Sequence, residues 1–240
     1  MNNLSNKSTV QEIKTRFDQD VERFSNIETG QATTIDASFS MELIVDSIIA
    51  HTPNLKTVLD IGCGAGNYTL KLLSKKAPLA CTLLDLSRPM LDRAHKRILA
   101  VNTGMTTCIQ DDIRTAPLKE GHYCTIMAAA VLHHLRDDND WENVFTKLYH
   151  LLKPGGSLWI SDFVVQETSP IQQLIYHERF SNYLVDLENE AYRDKVFNYI
   201  EQEDSPRSLN FQLDLLKKVG FRKIEILHKN LCFAAFGAIK

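Results

Sequence analysis

The chain has 240 residues, of which 44% are apolar, and a net charge of −3 at pH 7. This length and apolar content suffice for one sizeable hydrophobic core. Because the charge is slightly negative and no long run of lysine and arginine occurs, we expect no direct nucleic-acid partner. No apolar run approaches the roughly 20 residues that span a bilayer, and the polar start lacks the apolar region of a signal peptide. We therefore expect a soluble, cytoplasmic protein with no membrane partner.

The five cysteines predict reduced thiols rather than a disulfide framework or a zinc site. Their number is odd, no C-x-x-C spacing occurs, and four of them lie in apparent strands. Cys63 lies instead in a glycine-rich loop, where a small side chain indicates packing rather than nucleophilic chemistry.

The N-terminal part of the chain predicts helices. Residues 9–25 carry apolar side chains at spacings of three and four, which is typical of a helix with one packed face. A polar segment with glycine and threonine covers residues 25–38, and a second helix is expected over residues 41–50. We take residues 1–53 as an N-terminal helical segment.

Residues 57–68, TVLDIGCGAGNY, carry the strongest functional signal. The apolar run 58–61 predicts a buried parallel strand, and the three alternating glycines that follow allow a ligand to approach the backbone. Asp60 would repel the pyrophosphate of a dinucleotide at the following helix N-terminus. The same carboxylate suits the ammonium of a methionine moiety, directly or through water. This motif therefore favours S-adenosylmethionine (SAM), although a tight turn in another α/β protein would also fit the glycines.

Two further acidic positions follow predicted strands. Asp85 ends the apolar run 81–84, about 20 residues after the glycines, where such folds place an acid on the ribose hydroxyls. It would repel a 2′-phosphate, and it could equally cap the next helix near Ser87. A third strand, 106–110, precedes Asp112 and Ile113. Asp112 could accept from the adenine amino group while Ile113 packs on the ring; alternatively, this acid lies in a solvated loop.

These motifs and their order resemble class I SAM-dependent methyltransferases. The phrases DIGCGAG, LDLS, DDI, AAVLHHL and LLKPGG follow one another between residues 55 and 165. The resemblance implies an α/β, Rossmann-like fold with a seven-stranded, mostly parallel sheet, an antiparallel last strand, helices on both faces and a helical cap. It implies SAM as cofactor and S-adenosylhomocysteine as product. The cofactor-site residues expected from the motifs are Asp60, Gly62, Cys63, Gly64, Gly66, Asp85, Leu86, Met90, Asp112, Ile113 and Ala129.

The rest of the chain is divided around this core. Residues 54–165 form the expected SAM-binding core, residues 166–205 an inserted helical cap, and residues 206–240 a last helix with a β-hairpin. Gly220 ends that helix, and the runs 223–227 and 231–238 are too close together for a parallel crossover. An antiparallel edge of this kind is expected of a methyltransferase and not of a simple dehydrogenase domain.

The cap is rich in aromatic residues, which by default bury the inner face of an amphipathic helical hairpin. We hypothesise that some of them also select a small-molecule substrate, together with the N-terminal segment, which in this family commonly folds over the cofactor. The loop 31–36 belongs to this candidate lid. An aromatic cap can also serve as a dimer surface, so a homodimer is possible. The candidate substrate-binding residues are Phe17, Phe24, Tyr176, His177, Phe180 and Tyr183.

Methyl transfer from a sulfonium requires mainly alignment and exclusion of water. His133, just past the fourth strand, is the candidate catalytic residue, as a general base or a substrate contact, with packing as the alternative. Its neighbour His134 is expected to point the other way. Two adjacent histidines on a helix would not face one metal ion, so no metal site is predicted.

Three alternatives to an ordinary methyltransferase stay open. The N-terminal phrase around Phe17, the Asp112-Ile113-Arg114 phrase and the C-terminal run 232–240 are distantly similar to carboxy-SAM synthases, which modify SAM itself for tRNA modification. In that family an arginine on the last helix holds the new carboxylate, whereas this helix has leucine there; Lys217 or Arg207 could substitute. The chain could also be a non-catalytic SAM-binding regulator, or a dehydrogenase. The sequence leaves the methyl acceptor undefined.

Overall fold

A computed structural model describes residues 7–240 and shows a single seven-stranded sheet. The strand order is β3-β2-β1-β4-β5-β7-β6; strands β1 to β5 are parallel, and β7 is antiparallel to both of its neighbours. The order reverses between β1 and β4, which opens a crevice at the carboxyl ends of the strands. The strands are β1 Thr57–Ile61, β2 Ala80–Asp85, β3 Thr106–Gln110, β4 Tyr123–Ala129, β5 Leu152–Phe163, β6 Lys223–Asn230 and β7 Phe233–Ile239.

Eleven α-helices surround the sheet in the described part of the chain. The expected helix over residues 41–50 begins earlier, and the helical stretch 9–25 is broken at Asp20, whose backbone leaves the helical region. The helices are α1 Val10–Gln19, α2 Val21–Phe24, α3 Ile27–Gly30, α4 Ala37–His51, α5 Asn67–Lys75, α6 Arg88–Leu99, α7 Asp138–Leu151, α8 Ser169–Gln172, α9 Ser181–Leu187, α10 Glu190–Glu203 and α11 Leu209–Val219. A 3₁₀ turn covers Leu132–His134, and a π-helical segment, Gln173–Phe180, joins α8 to α9.

Both faces of the sheet are covered, which explains why its central strands are almost continuously apolar. On one face, α7 and α11 contribute a cluster that includes the fully buried Trp141 and Phe145. On the other face, α4, α5 and α6 pack through residues such as Ile48 and Leu72. The α/β Rossmann-like fold expected from the sequence is thus confirmed.

The C-terminal hairpin adds the antiparallel edge. Gly237 of β7 lies opposite Trp159 of β5 in the register, and a Cβ atom on Gly237 would lie 2.1 Å from the Trp159 ring. A glycine here lets the indole lie flat against the neighbouring strand. The sequence predicted this hairpin correctly. Its first strand ends three residues later than expected, and its second strand begins two residues later and ends one residue later.

The N-terminal segment and the cap (residues 166–205) meet above the carboxyl ends of the strands. Phe180 and Leu184 of the cap pack with Ile35 and Phe163 in a third apolar cluster. The backbone N–H of Ser8 donates to the carbonyl of Gln202 at 2.8 Å, so the beginning of the described chain is tied to the end of the cap.

Two further observations concern the compositional expectations. All five cysteines are free thiols, three of them buried. Among the described residues, no helix has both the length and the apolar content needed to cross a membrane.

Candidate functional site

The glycine-rich loop after β1 forms one end of a cleft at the strand ends. Gly62, Gly64 and Gly66 all have positive φ angles, of 60°, 50° and 85°. A Cβ atom on Gly62 would lie 2.5 Å from Val131, whereas one on Gly64 would meet no protein atom within 4 Å. Gly62 is therefore required by close packing, and Gly64 faces open space that a ligand can enter.

The part of the cleft next to this loop is called the inner compartment. It is lined by the loop, by the acid of β1, by residues after β2 and by the end of β4. Ten of the eleven predicted cofactor-site positions can be placed against the cleft: the inner compartment contains Asp60, Gly62, Cys63, Gly64, Asp85, Leu86, Met90 and Ala129, and the adjoining outer compartment contains Asp112 and Ile113. Gly66 lies outside both linings and is the N-cap of α5.

Asp85 connects the glycine loop to β2. Its carboxylate accepts the Gly64 N–H at 2.8 Å and the Ser87 N–H at 2.9 Å. Ser87, not Asp85, caps α6 through its hydroxyl, so the capping role considered for Asp85 belongs to its neighbour. Burial raises the pKa of Asp85 to about 6 despite these hydrogen bonds. A ligand that donates hydrogen bonds to the ionised carboxylate would stabilise that form, which burial disfavours.

Asp60 is buried at the floor of the inner compartment, with 2% of its surface exposed. One carboxylate oxygen accepts the Thr69 hydroxyl at 2.6 Å. Burial raises the pKa of Asp60 to about 7, and the nearby Asp85 charge adds to this. The buried Asp60 and the partly buried Asp85 form an electrostatic environment in the cleft that a cationic ligand would stabilise.

The outer compartment lies between the ends of β2 and β3 and the 3₁₀ turn. Here Asp112 is already bonded to Arg114: the Nε and backbone N–H donate to Oδ1 at 2.9 Å each, and Nη2 donates to Oδ2 at 2.6 Å. Burial would raise the pKa of Asp112, but these bonds to Arg114 hold it below its usual value. The bond to adenine expected from the sequence thus competes with an internal partner, whereas Ile113 remains an apolar wall of this compartment.

A larger cavity of about 400 Å³, called the chamber, adjoins the inner compartment. Both cavities share five lining residues, so the two spaces meet at a common boundary: Phe17, Phe24, Gln31, Ala130 and His134. The N-terminal segment forms one side of the chamber and the cap the other. Ala130 has φ of +52°, and its N–H donates to the Ser161 carbonyl at 2.8 Å, which turns the chain from β4 into the 3₁₀ turn at the boundary.

Two histidines and two aspartates form the polar floor of the chamber. Asp162, at the end of β5, accepts the backbone N–H of Leu132 at 2.8 Å and bonds to Nδ1 of His133. Asp204, just after α10, places Oδ1 3.6 Å from Nε2 of His133 and 3.3 Å from Nδ1 of His134. The expectation that His134 points away from its neighbour is wrong. The two residues form a 3₁₀ turn instead of an α-helical face, and their ring centroids lie 4.4 Å apart.

Burial would lower the pKa of His133, but the Asp204 and Asp162 carboxylates outweigh it and raise the pKa to about 9. The two carboxylates therefore stabilise a positive charge between them.

The predicted substrate residues divide into two groups. Phe17, Phe24 and Phe180 line the chamber. Tyr176 stacks on Phe180 and on Phe197 outside the lining, Tyr183 donates its hydroxyl to the Ala32 carbonyl at 2.9 Å, and His177 is exposed. These three residues stabilise the cap around the chamber instead of facing its interior.

Several residues of the chamber carried no functional prediction. Arg16 of α1 forms a two-pronged ion pair with Glu203 and donates to the Tyr199 hydroxyl at 2.9 Å, which links the N-terminal segment to the cap across the chamber. Asp162 could have been found, because it ends a strand at the same sheet edge as Asp60 and Asp85. No local pattern distinguishes Asp204, Arg16 or Tyr199 from surface residues.

Comparison with known proteins matches the part of the chain that forms this cleft to a protein family. A model of the family described as "Methyltransferase domain" matches residues 58–156, which include β1, the glycine loop and the ends of β2, β3 and β4. The chain contains a class I SAM-dependent methyltransferase domain.

Curated relatives extend the match beyond this methyltransferase domain. A carboxy-S-adenosyl-L-methionine synthase of Desulfotalea psychrophila is 26% identical over 201 residues, covering 79% of this chain and 78% of that protein. A protein of the same name from Shewanella loihica is 28% identical, covering 79% and 77%. An uncharacterised methyltransferase of Mycobacterium tuberculosis is 28% identical over 54% of this chain and 60% of its own.

Solved structures support the fold of the methyltransferase. The 1,6-didemethyltoxoflavin-N1-methyltransferase of Burkholderia thailandensis, solved with 1,6-didemethyltoxoflavin and S-adenosylhomocysteine, superposes with a TM-score of 0.64 at 15% identity, covering 97% of this chain and 91% of that one. Human N-acetylserotonin methyltransferase gives 0.60 at 15% identity, covering 95% and 56%.

The residues of the cleft fit SAM. Gly64 has the open space that a methionine moiety requires, and the Asp85 carboxylate is available to two hydroxyl donors. Asp60 provides a buried negative charge beside the same space. When bound, SAM supplies an activated methyl group, and the protein supplies alignment and a dry boundary between the two cavities.

Proposed function

We propose that the protein transfers the methyl group of SAM to a small-molecule acceptor bound in the chamber. The observation that carries this proposal is the continuity of the cavities: the inner compartment opens onto a chamber of about 400 Å³ through shared lining residues. This volume lies within the range of about 300–1,000 Å³ typical of small-molecule sites. A SAM-binding regulator without turnover would not need such a space next to the sulfonium.

Roles for the cofactor residues follow from their positions in the cleft. We propose that Asp85 accepts from both ribose hydroxyls, that Asp60 stabilises the methionine ammonium, and that Ile113 packs on the adenine ring. Gly62, Gly64 and Gly66 shape the loop, while Cys63, Leu86, Met90 and Ala129 provide apolar walls. Asp112 acts through Arg114, which it holds at the adenine end.

The acceptor is defined by two contrasting surfaces of the chamber. Its walls include Phe17, Phe24, Phe180, Tyr192 and Phe233, which suit a flat or apolar body. Its floor is polar, with His133 and Asp204 almost completely buried. We propose that the polar group of the acceptor faces this floor, that His133 contacts it near the methyl group, and that the N-terminal segment and the cap select the acceptor.

The test is turnover with defined acceptors. Purified protein is titrated calorimetrically with SAM, S-adenosylhomocysteine and NAD, and then incubated with SAM and a panel of small aromatic amines, phenols and thiols while S-adenosylhomocysteine is measured. We expect the two sulfur nucleotides to bind and NAD not to bind, and at least one acceptor to raise S-adenosylhomocysteine formation. Failure of both sulfur nucleotides to bind would refute the proposal.

Carboxy-SAM synthesis is the second candidate, because relatives of that name align over 79% of the chain and not only over the methyltransferase domain. The two cations considered as substitutes for the missing arginine do not line the chamber. Lys217 is exposed and bonded to Asp214, and Arg207 bonds to Asp138. Arg16 and Arg23 line the chamber but are paired with Glu203 and Asp20, so Lys195, which also lines it, is the cation that a new carboxylate would have to use. Mass spectrometry of nucleotides that copurify with the protein distinguishes the two, since carboxy-SAM is heavier than SAM by one carboxyl group.

Two expectations about the whole protein belong with this proposal. The cap exposes Ile171, Leu174 and Leu187, which supports a homodimer formed through the cap. The five free thiols support a reducing compartment such as the cytoplasm. Light scattering at several concentrations tests the first, and localisation of a tagged chain in its host tests the second.

A further inference from the structure

We propose that His133, His134 and Asp204 form a binding site for a divalent transition-metal ion, with Zn²⁺ as the best match, at the floor of the chamber. The expectation of no metal site rested on helical geometry for the two histidines, and the 3₁₀ turn removes that objection. One ligand atom from each of the three residues can be chosen so that all three lie within 4.8 Å of one another. The inference concerns ion binding and does not depend on methyl transfer.

The separations between these atoms fit a shared ion better than direct hydrogen bonds. Asp204 Oδ1 lies 3.3 Å from Nδ1 of His134 and 3.6 Å from Nε2 of His133. Hydrogen bonds of this type are normally about 2.7–3.2 Å long. Two ligands bound tetrahedrally to one zinc ion at about 2.05 Å lie about 3.3 Å apart. Both observed distances therefore leave room for an ion between the atoms.

Asp204 provides a second observation that favours a cation at this position. The residue is 4% exposed and lines the chamber, and its Oδ1 atom accepts no hydrogen bond. Its charged neighbours are the two histidines, at 3.3 and 3.6 Å, which is longer than a normal hydrogen bond. An ion bound by all three residues would offset the free-energy cost of this buried oxygen.

Asp162 holds His133 in the orientation that metal binding requires. Nδ1 of His133 bonds to Oδ1 of Asp162, while Oδ2 of Asp162 accepts the Leu132 N–H at 2.8 Å. When Nδ1 carries the ring proton, Nε2 is the free ligand atom, and it lies 3.6 Å from Oδ1 of Asp204. A carboxylate behind a ligating histidine is the usual arrangement around zinc, because it fixes the ring and its tautomer. Here Asp162 is a positioning residue and the other three are the ligands.

Two imidazoles and one carboxylate favour zinc and its borderline neighbours over Mg²⁺ or Ca²⁺, which prefer oxygen ligands. Three protein ligands leave a fourth position free, which is the pattern of sites that bind an exchangeable ligand. His133 and Asp204 both line the chamber, so this position faces the space proposed for the acceptor. An ion here would hold a water molecule or a heteroatom of the acceptor.

The experiment uses the full chain after dialysis against a chelator. Zn²⁺ binding is measured by calorimetry and by metal analysis after gel filtration, and Co²⁺ is used as a visible probe of tetrahedral coordination. The variants Asp204→Asn and His134→Gln each remove one ligand. The controls His177→Gln and Asp186→Asn change the same residue types at exposed positions of the cap. Thermal unfolding and SAM binding are recorded for every variant as independent readouts of folding.

We expect one ion per chain, a tetrahedral Co²⁺ spectrum, and at least a roughly 100-fold loss of affinity in each ligand variant, since even partners behind the ligands change affinity by about 10–100-fold. Both controls should bind like the unmodified chain. Absence of stoichiometric binding would overturn the proposal, as would equal binding by the ligand variants and the controls. If one ligand variant fails to fold, the other decides. A protein that binds Zn²⁺ but not SAM would keep this inference and refute the proposed function.

Discussion

The cofactor cleft and the chamber are neighbours, but they are built from the sequence in different ways. The cleft is formed by short segments that each follow a strand: the loop after β1, the end of β2 and the turn after β3. The chamber combines α1 to α3, the cap and the ends of β4, β5 and β7. Its lining residues Arg16 and Phe233 are 217 positions apart in the chain. The cleft is therefore determined locally, whereas the chamber exists only when distant segments pack together.

Substitution of two glycines in the loop after β1 distinguishes a role in packing from a role in ligand access. This comparison gives the largest expected effect. Both Gly62→Ala and Gly64→Ala place a side chain at positive φ, which costs about 1–2 kcal/mol. Gly62→Ala also brings a Cβ atom to 2.5 Å from Val131, and overpacking of this kind adds about 1–3 kcal/mol. We expect Gly62→Ala to be the less stable variant in urea unfolding. Gly64→Ala should instead show the greater loss of SAM affinity relative to its stability.

The reverse order, with Gly64→Ala the less stable of the two, would mean that the loop is arranged differently.

Asp85→Asn tests whether the cleft recognises ribose. The substitution keeps the shape of the side chain but removes the charge that holds the Gly64 and Ser87 N–H groups and, in our proposal, the ribose hydroxyls. Two charge-assisted hydrogen bonds at about 1.5 kcal/mol each predict a roughly 100-fold weaker SAM affinity by calorimetry. The control Asp92→Asn alters an exposed aspartate paired with Arg88 and should leave affinity unchanged. Equal affinity of both variants would place the ribose elsewhere.

The same contrast between the cleft and the chamber explains which parts of the structure could be predicted from the sequence. The motifs predicted the sheet, its antiparallel edge and most residues of the cleft, because each signal is contained in a few consecutive positions. Asp204 and Arg16 could not be found in this way: each gains its importance from partners on other elements, His133 and Glu203 respectively. His134 was misplaced because a helix was assumed where the chain forms a 3₁₀ turn. Asp112 was placed in the cleft, but its bond to Arg114 depends on side-chain geometry that spacing does not specify.

Arg16→Gln tests whether the chamber depends on long-range contacts. The substitution leaves Glu203 buried without its cation and removes a donor to Tyr199. We expect a loss of about 1–2 kcal/mol in the free energy of unfolding and faster hydrogen exchange across α1 and α2. The control Lys14→Gln removes a partly exposed pair with Asp18 at 3.6 Å, which should cost about 0.5 kcal/mol or less. Unchanged exchange in Arg16→Gln would show that the lid is held by its apolar contacts alone.

The smallest expected effect is on pH dependence, which differs between the stability of the protein and its affinity for SAM. Burial raises the pKa of Asp60 to about 7 and of Asp85 to about 6. Because these values exceed the unfolded ones, the contribution of both groups to stability is fully present below about pH 4 and is lost as pH rises through 6 to 7. SAM binding should show the opposite trend, since its ammonium and hydroxyl groups favour the charged carboxylates. Below pH 6 we expect its affinity to fall by up to about tenfold per unit for each group.

Calorimetry at pH 6.5 in buffers of different ionisation enthalpy measures this directly, because SAM binding should release protons to the buffer. Asp60→Asn should reduce the number of protons released, whereas His177→Gln, at an exposed position of the cap, should not. Proton uptake on binding would contradict the assignment, because it would mean that the cofactor meets neutral carboxyl groups. Release in Asp60→Asn equal to that of the unmodified chain would assign the linkage to Asp85 and place the ammonium away from Asp60.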